Sequence, residues 1–151
     1  MNLPDRWQIR VIQLLAVPGM LVAYFLLMFH SGKLIGVCTS SGWDDCGLVS
    51  GPDGRFSSIG PIPVALIGLI GYAVIFLLTW LPDWIDMLDD YLPELMVGVI
   101  GFALLFTLWL TALELFVIHA ICRYCVISAI IILIMFILAV GYLRAENRAE
   151  T

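Results

Sequence analysis

The sequence predicts an all-α integral membrane protein: a four-helix bundle with a cysteine-bearing extracytoplasmic loop between helices 1 and 2. The 151 residues are 62% hydrophobic and only 13% charged, whereas soluble domains average about 25% charged residues. A spanning helix needs about 20 mainly apolar residues, and four stretches of the chain reach that length. This composition argues against a soluble globular fold and against disorder.

The predicted helices cover residues 9–32, 61–81, 93–118 and 122–143 of one domain that spans residues 1–151. The first apolar run follows Arg6 and Arg10. It is too long for the apolar core of a signal peptide, so it is interpreted as a retained anchor. Pro61 and Pro63 mark the start of the second helix, because the first helical turn tolerates a missing N–H.

The boundary between the third and fourth helices is a short polar cluster: His119, Cys122 and Arg123. A single helix over residues 95–143 would be roughly 70 Å long at ~1.5 Å per residue, more than twice the thickness of the hydrocarbon core. The chain must therefore turn at this cluster. The acidic segment 82–93, which begins and ends with proline, connects the second and third helices.

The charge of the chain bears on its possible partners. The net charge is −5 and only seven residues are Lys or Arg, which argues against nucleic acid as a partner, because its phosphates must be neutralised.

Two spanning helices separate the loop pair, Cys38 and Cys46, from the pair Cys122 and Cys125. All four sulfur atoms are therefore predicted on one face of the membrane, whichever way the chain is oriented.

The C-x-x-C pair has the features of a redox centre. If the fourth helix begins near Cys122, its unpaired N–H groups and positive dipole end stabilise a thiolate, and Arg123 adds a positive charge. Residues i and i+3 share a helix face, so Cys125 lies roughly 4.5 Å deeper in the membrane than Cys122. The outer sulfur can then exchange with a loop, and the inner sulfur can meet a lipid-soluble molecule.

Other uses of four cysteines remain open. The spacing matches zinc sites poorly, so no metal is predicted. Structural disulfides in a non-catalytic membrane scaffold are the main alternative, although a bridge within one helical turn closes almost no loop and adds little stability. A transporter is a weaker option, because the sequence has no internal repeat.

Three segments resemble the vitamin K epoxide reductase (VKOR) family in its bacterial stand-alone form, without a fused thioredoxin-like domain. They are Cys38 with Cys46, the segment SSIGPIPVALIG at 57–68, and LELFVIHAICRYCV at 113–126. The DsbB type of four-helix protein also couples cysteine pairs to quinone, but its C-x-x-C pair lies in the first loop and its second pair lies between helices 3 and 4. This order is the reverse of the order found here.

The resemblance implies a quinone-dependent thiol–disulfide oxidoreductase that supports disulfide bond formation. Cys38 would exchange with a thioredoxin-like (DsbA-like) protein in trans, Cys46 would pass electrons to Cys122, and Cys125 would face a quinone such as menaquinone or ubiquinone. The expected location is the cytoplasmic membrane of a bacterium or archaeon, in contact with lipid, with the cysteines on the extracytoplasmic side.

Further residues are candidates for the quinone site. Ser57 falls where animal members carry an Asn that hydrogen-bonds the quinone, or it caps the following helix. Ala129 replaces a Tyr of the animal enzymes, so the resemblance does not by itself imply epoxide reduction. Glu114 is ionisable within a membrane helix, which is typical of functional residues, and either handles protons or serves structure. His119 is interpreted as an interfacial residue rather than a base.

Overall fold

The computed structural model describes residues 7–33, 49, 51 and 57–151. Within those residues, four helices are long and apolar enough to cross a membrane, which confirms the predicted all-α membrane fold. They are α1 (Trp7–His30), α2 (Val64–Trp80), α3 (Leu92–Leu113) and α4 (Arg123–Glu150). Cys38 and Cys46 lie outside the described residues, so the loop pair stays a prediction.

The helices pack with α1 against α2 and α4, and with α3 against α4. Their shared core consists mainly of branched aliphatic and methionine side chains, and its fully buried members include Ile12, Ile75, Ile100 and Met135. Gly19 lies against the Tyr72 ring so closely that a Cβ at this position would overlap the ring. The glycine thus brings α1 and α2 together at Tyr72.

The outer surface of the bundle is apolar. Phe116 is 78% exposed, Phe102 74% and Leu14 71%, although side chains of this kind are usually buried in soluble proteins. An apolar surface of this extent is stable in contact with lipid acyl chains rather than water. The hydrophobic residues therefore cover the outside of the bundle as well as its core.

The start of α2 differs from the prediction. Residues 61–63 are not helical: Ser58–Ile59 pairs antiparallel with Ile62–Pro63 in a short hairpin, and Gly60 at the turn has a φ of +63°. Helix α2 begins only at Val64, because the residue before a proline is disfavoured in the α region and a proline donates no N–H. The two prolines thus shape the entry to the helix and do not form its first turn.

The other helix ends also differ in detail. Helix α4 continues to Glu150 rather than ending at residue 143, because hydropathy marks the part that can lie in lipid and a helix can continue beyond it. The acidic connection contains a 3₁₀ turn (Leu81–Asp83) and a single α-turn (Asp86–Asp89). Arg10 of α1 binds Asp83 at 3.3 Å, which ties the first helix to this connection.

Candidate redox site in the four-helix bundle

The C-x-x-C pair lies at the start of α4, as the sequence predicts. Cys122 is the N-cap residue, with extended backbone, and Cys125 lies in the first turn of the helix. The two cysteines differ in burial, because Cys122 is completely buried and Cys125 only partly so. Cys122 belongs to a buried cluster with Leu26, Val49 and Ala120. The outer sulfur is therefore covered by protein, including Val49 from the segment between α1 and α2.

The turn into α4 begins with a π-helical segment, Glu114–Ile118, that continues α3. It ends at His119, which has left-handed backbone with a φ of 57°. The backbone N–H groups of His119 and Ala120 both donate to the carbonyl oxygen of Glu114. A π-bulge inserts one residue into the helical register and is frequent at functional sites. Here it carries the Glu114 side chain into the bundle, where it is 6% exposed.

The Glu114 carboxyl group lies beside the C-x-x-C pair. It is within hydrogen-bonding reach of the Cys125 side chain and of the backbone N–H of Cys122. The thiol and the amide N–H are donors and the carboxylate oxygens are acceptors. This arrangement joins the end of α3 to the start of α4 and places an ionisable group next to the deeper sulfur.

A cavity of about 120 Å³ lies between the four helices. Its wall includes all three residues that the sequence analysis assigned to a cofactor: Ser57, Glu114 and Cys125. An apolar cavity of roughly 150 Å³ is known to bind benzene, so this cavity is of a size to admit a single six-membered ring. The wall combines aliphatic and aromatic side chains with a smaller number of polar ones, as small-molecule sites do.

The polar groups on the wall other than Ser57, Glu114 and Cys125 fall into three sets. Thr107 and Thr111 donate to carbonyl oxygens of α3 itself. His30 Nδ1 lies 3.2 Å from the carbonyl oxygen of Gly51. Tyr72 and Ser128 form a third set, with their hydroxyl oxygens 2.7 Å apart. The first two sets bind backbone, whereas the third joins side chains of α2 and α4.

Ser57 is buried on the cavity wall. The alternative role that the sequence suggested for it, a side-chain cap of the following helix, is wrong. The N-cap of α2 is Pro63, and no side chain caps it. The backbone carbonyl of Ser57 instead accepts the N–H of Val64 at 2.9 Å, because the hairpin folds Ser57 back over the helix start.

Sequence reasoning missed several residues of the cavity wall, above all Tyr72, Ser128 and His30. Ser128 carried a usable signal, since it lies three residues after Cys125 and so shares its helix face. Tyr72 is a polar side chain within an apolar span, which was a weaker signal. His30 gave none, because a histidine at the end of a membrane helix is ordinarily interfacial. His119, by contrast, is exposed.

The profile of the Vitamin K epoxide reductase family matches residues 10–140, a range that includes all four cysteines, the hairpin before α2 and the whole cavity wall. No curated protein matches the chain.

Proposed function

Because the chain belongs to the vitamin K epoxide reductase family, and hence has a redox function in the membrane, we propose that it is a quinone-dependent thiol–disulfide oxidoreductase. It oxidises a thioredoxin-like (DsbA-like) protein and reduces a membrane quinone, and thereby supports disulfide bond formation. The observation that carries this proposal is the position of Cys125, whose side chain lines the cavity between the four helices.

The cavity suits the head group of a quinone. Its volume is that of a single-ring site, its wall is mostly apolar, and Ser57, Glu114 and Tyr72 bring hydrogen-bonding groups to it. A bound quinone would take up two electrons and two protons and leave as the quinol. The residues present therefore fit a para-quinone ring, which is common to ubiquinone and to the two-ring head group of menaquinone.

The covered position of Cys122 supports transfer from the loop pair. Val49 packs in the same buried cluster as Cys122, and Cys46 precedes Val49 by three residues. An extended chain spans at most ~3.6 Å per residue, so covalent geometry limits the separation of the Cys46 and Val49 Cα atoms to roughly 11 Å. Chain connectivity is thus compatible with the proposed transfer from Cys46 to Cys122.

The proposed relay passes two electrons from the partner's dithiol to the C-x-x-C pair through successive disulfide exchanges. The partner's dithiol first reduces the Cys38–Cys46 disulfide. The Cys46 thiolate then attacks Cys122 Sγ, and the Cys122–Cys125 bond breaks with its electron pair leaving on Cys125. Cys38 next attacks Cys46, which restores the loop disulfide and releases Cys122 as a thiolate. The dithiol of the partner has by then become a disulfide, and the electrons reside on the C-x-x-C pair.

Glu114 has a proposed part in the last step, in which Cys122 and Cys125 form their disulfide again and the quinone would receive two electrons and two protons. Cys125 reacts as its thiolate, and the Glu114 carboxylate is placed to take up the proton whenever Cys125 is in its thiol form. Positioned acid–base groups typically accelerate such steps by about 10²–10⁴-fold. Ser57 is proposed to hydrogen-bond a quinone carbonyl oxygen at the same end of the cavity, which is the end nearest the loop.

The proposed location follows from the same chemistry. Disulfide formation requires an oxidising compartment, so the C-x-x-C end of the bundle is proposed to face the extracytoplasmic side of a bacterial or archaeal cytoplasmic membrane. The DsbA-like partner approaches from that side, and the quinone enters from the surrounding lipid.

A redox titration tests this function against the alternative of a membrane scaffold with structural disulfides. The purified protein is equilibrated with dithiol buffers of stepped potential, alkylated, and its modified cysteines are identified by mass spectrometry. Catalytic pairs are expected to titrate near the potentials of thiol–disulfide oxidoreductases, about −120 to −270 mV. Structural disulfides have potentials below about −300 mV, and titration of both pairs in that range would refute the proposal.

A further inference from the structure

The deeper part of the cavity has its own polar group, the hydroxyl pair of Tyr72 and Ser128. Tyr72 Oη lies 2.7 Å from Ser128 Oγ and 3.3 Å from the Ser128 backbone oxygen. Both residues line the cavity, and Tyr72 is only 3% exposed. Ser128 follows Cys125 by three residues, so the pair lies about one helical turn, ~4.5 Å, deeper than the reactive sulfur.

One of the two protons of this pair is weakly bound to the protein. Two hydroxyl groups carry two protons, and the bond between them uses one. When Ser128 Oγ donates to Tyr72 Oη, the second proton is that of Tyr72, which points to the Ser128 backbone carbonyl oxygen at 3.3 Å, a long distance for an O–H···O hydrogen bond. Within a continuous helix that oxygen also accepts the N–H of residue 132. A ligand oxygen in the cavity would therefore offer the second proton a better partner.

The other hydroxyl groups at this depth are engaged differently. Thr107 and Thr111 donate to carbonyl oxygens one turn earlier in α3, at 2.8 and 2.9 Å. The Tyr72 ring is fixed from behind by Gly19, where a Cβ would overlap it. The Tyr72 hydroxyl is thus held in place before any ligand enters, which lowers the entropy cost of binding.

We infer that the Tyr72–Ser128 hydroxyl pair binds the second carbonyl oxygen of the quinone, the one that points away from the C-x-x-C end. A para-quinone has carbonyl oxygens at opposite ends of its ring, so a site with donors at both ends fixes its position and orientation. The inference rests on the proposed function and adds the residues that orient the head group. Tyr72 and Ser128 are positioning groups that donate hydrogen bonds to the quinone.

The test uses the Tyr72→Phe variant, which removes the hydroxyl group and keeps the ring against Gly19. The probe is decylubiquinone with carbon-13 at its carbonyl positions, bound to the full-length oxidised protein so that no turnover occurs. Infrared difference spectra report hydrogen bonding at each carbonyl, and quenching of tryptophan fluorescence reports affinity. Tyr24→Phe is the matched control, because Tyr24 is an exposed tyrosine of α1.

The variant is expected to bind decylubiquinone roughly tenfold more weakly, as loss of one neutral hydrogen bond implies. One carbonyl band should shift to higher frequency, and Ser128→Ala should shift the same band, whereas Tyr24→Phe should shift neither. Unchanged spectra and affinity in both cavity variants, with lower thermal stability, would show that the pair only ties α2 to α4 and would overturn the inference. Absence of quinone binding by the wild-type protein would instead refute the proposed function, along with the inference.

Discussion

The carboxyl group of Glu114 lies within hydrogen-bonding reach of the Cys125 thiol. The two residues belong to different helices, and the π-helical segment at the end of α3 brings them together. A buried carboxyl group beside a cysteine can act chemically, by taking the thiol proton. It can also act structurally, by joining the end of α3 to the start of α4. The two uses make different predictions for an isosteric substitution.

Glu114→Gln keeps the shape of the side chain and a hydrogen-bond acceptor but removes the proton-accepting carboxylate. We expect quinol formation by the pre-reduced protein to slow by about 10²-fold, the lower end of the range for acid–base catalysis. Stopped-flow absorbance of the quinol measures this rate. Glu94→Gln is the control, because Glu94 is an exposed acid in the first turn of the same helix. A purely structural Glu114 would give a variant with lower stability and a normal rate.

The entry of electrons depends on Cys38 in the proposed relay. Cys38→Ala should lose activity with a DsbA-like protein as reductant and keep most of its activity with a small dithiol, because a small dithiol can attack the C-x-x-C disulfide at Cys125, which is only partly buried. Quinol formation is followed with each reductant in parallel. Equal loss of both activities would contradict the order of the relay.

The internal transfer can be trapped. In Cys125→Ala the Cys122 thiol has no neighbouring sulfur to expel or re-form a bond with, so a Cys46–Cys122 disulfide should accumulate under mild oxidation. Peptide mass spectrometry after proteolysis identifies the linked cysteines. A predominant Cys38–Cys122 linkage would reverse the roles proposed for the loop pair.

Packing of Gly19 against Tyr72 predicts an effect on both stability and quinone binding. Gly19→Ala places a Cβ where the Tyr72 ring lies, and we expect a loss of about 1–3 kcal/mol in the free energy of unfolding, together with weaker decylubiquinone binding. Gly98→Ala is the matched control, because a Cβ there meets no atom within 4 Å and alanine favours the helix. Thermal unfolding in detergent measures the stability of both variants. Equal stability of Gly19→Ala and Gly98→Ala would contradict the close packing of Gly19 against Tyr72.

The number of helices and the site of the turn into α4 were predictable, because bilayer thickness restricts both. The start of α2 was not: Pro61 and Pro63 fit a first helical turn, and only the pairing of Ser58 with Pro63 shows the hairpin. The burial of Cys122 was likewise unpredictable, since it depends on Val49, which is distant in sequence.

The residues of the cavity also include some that the sequence indicates and some that only the packing of the helices reveals. Glu114 was identifiable as a candidate from its charge within an apolar span, but its position beside Cys125 requires the π-helical segment, which no simple hydrophobic period indicates. Tyr72 and Ser128 are 56 residues apart, and their contact depends on how α2 packs against α4. Individual candidates can thus be found from residue chemistry, while their grouping depends on tertiary packing.

Anaerobic mixing of the fully reduced protein with decylubiquinone tests most directly whether Cys125 delivers electrons to a quinone. The wild-type protein should form quinol in a stoichiometric burst and recover its Cys122–Cys125 disulfide. Cys125→Ala should form none, even though its loop pair Cys38 and Cys46 is still reduced. Quinol formation by Cys125→Ala at the wild-type rate would contradict the proposed route.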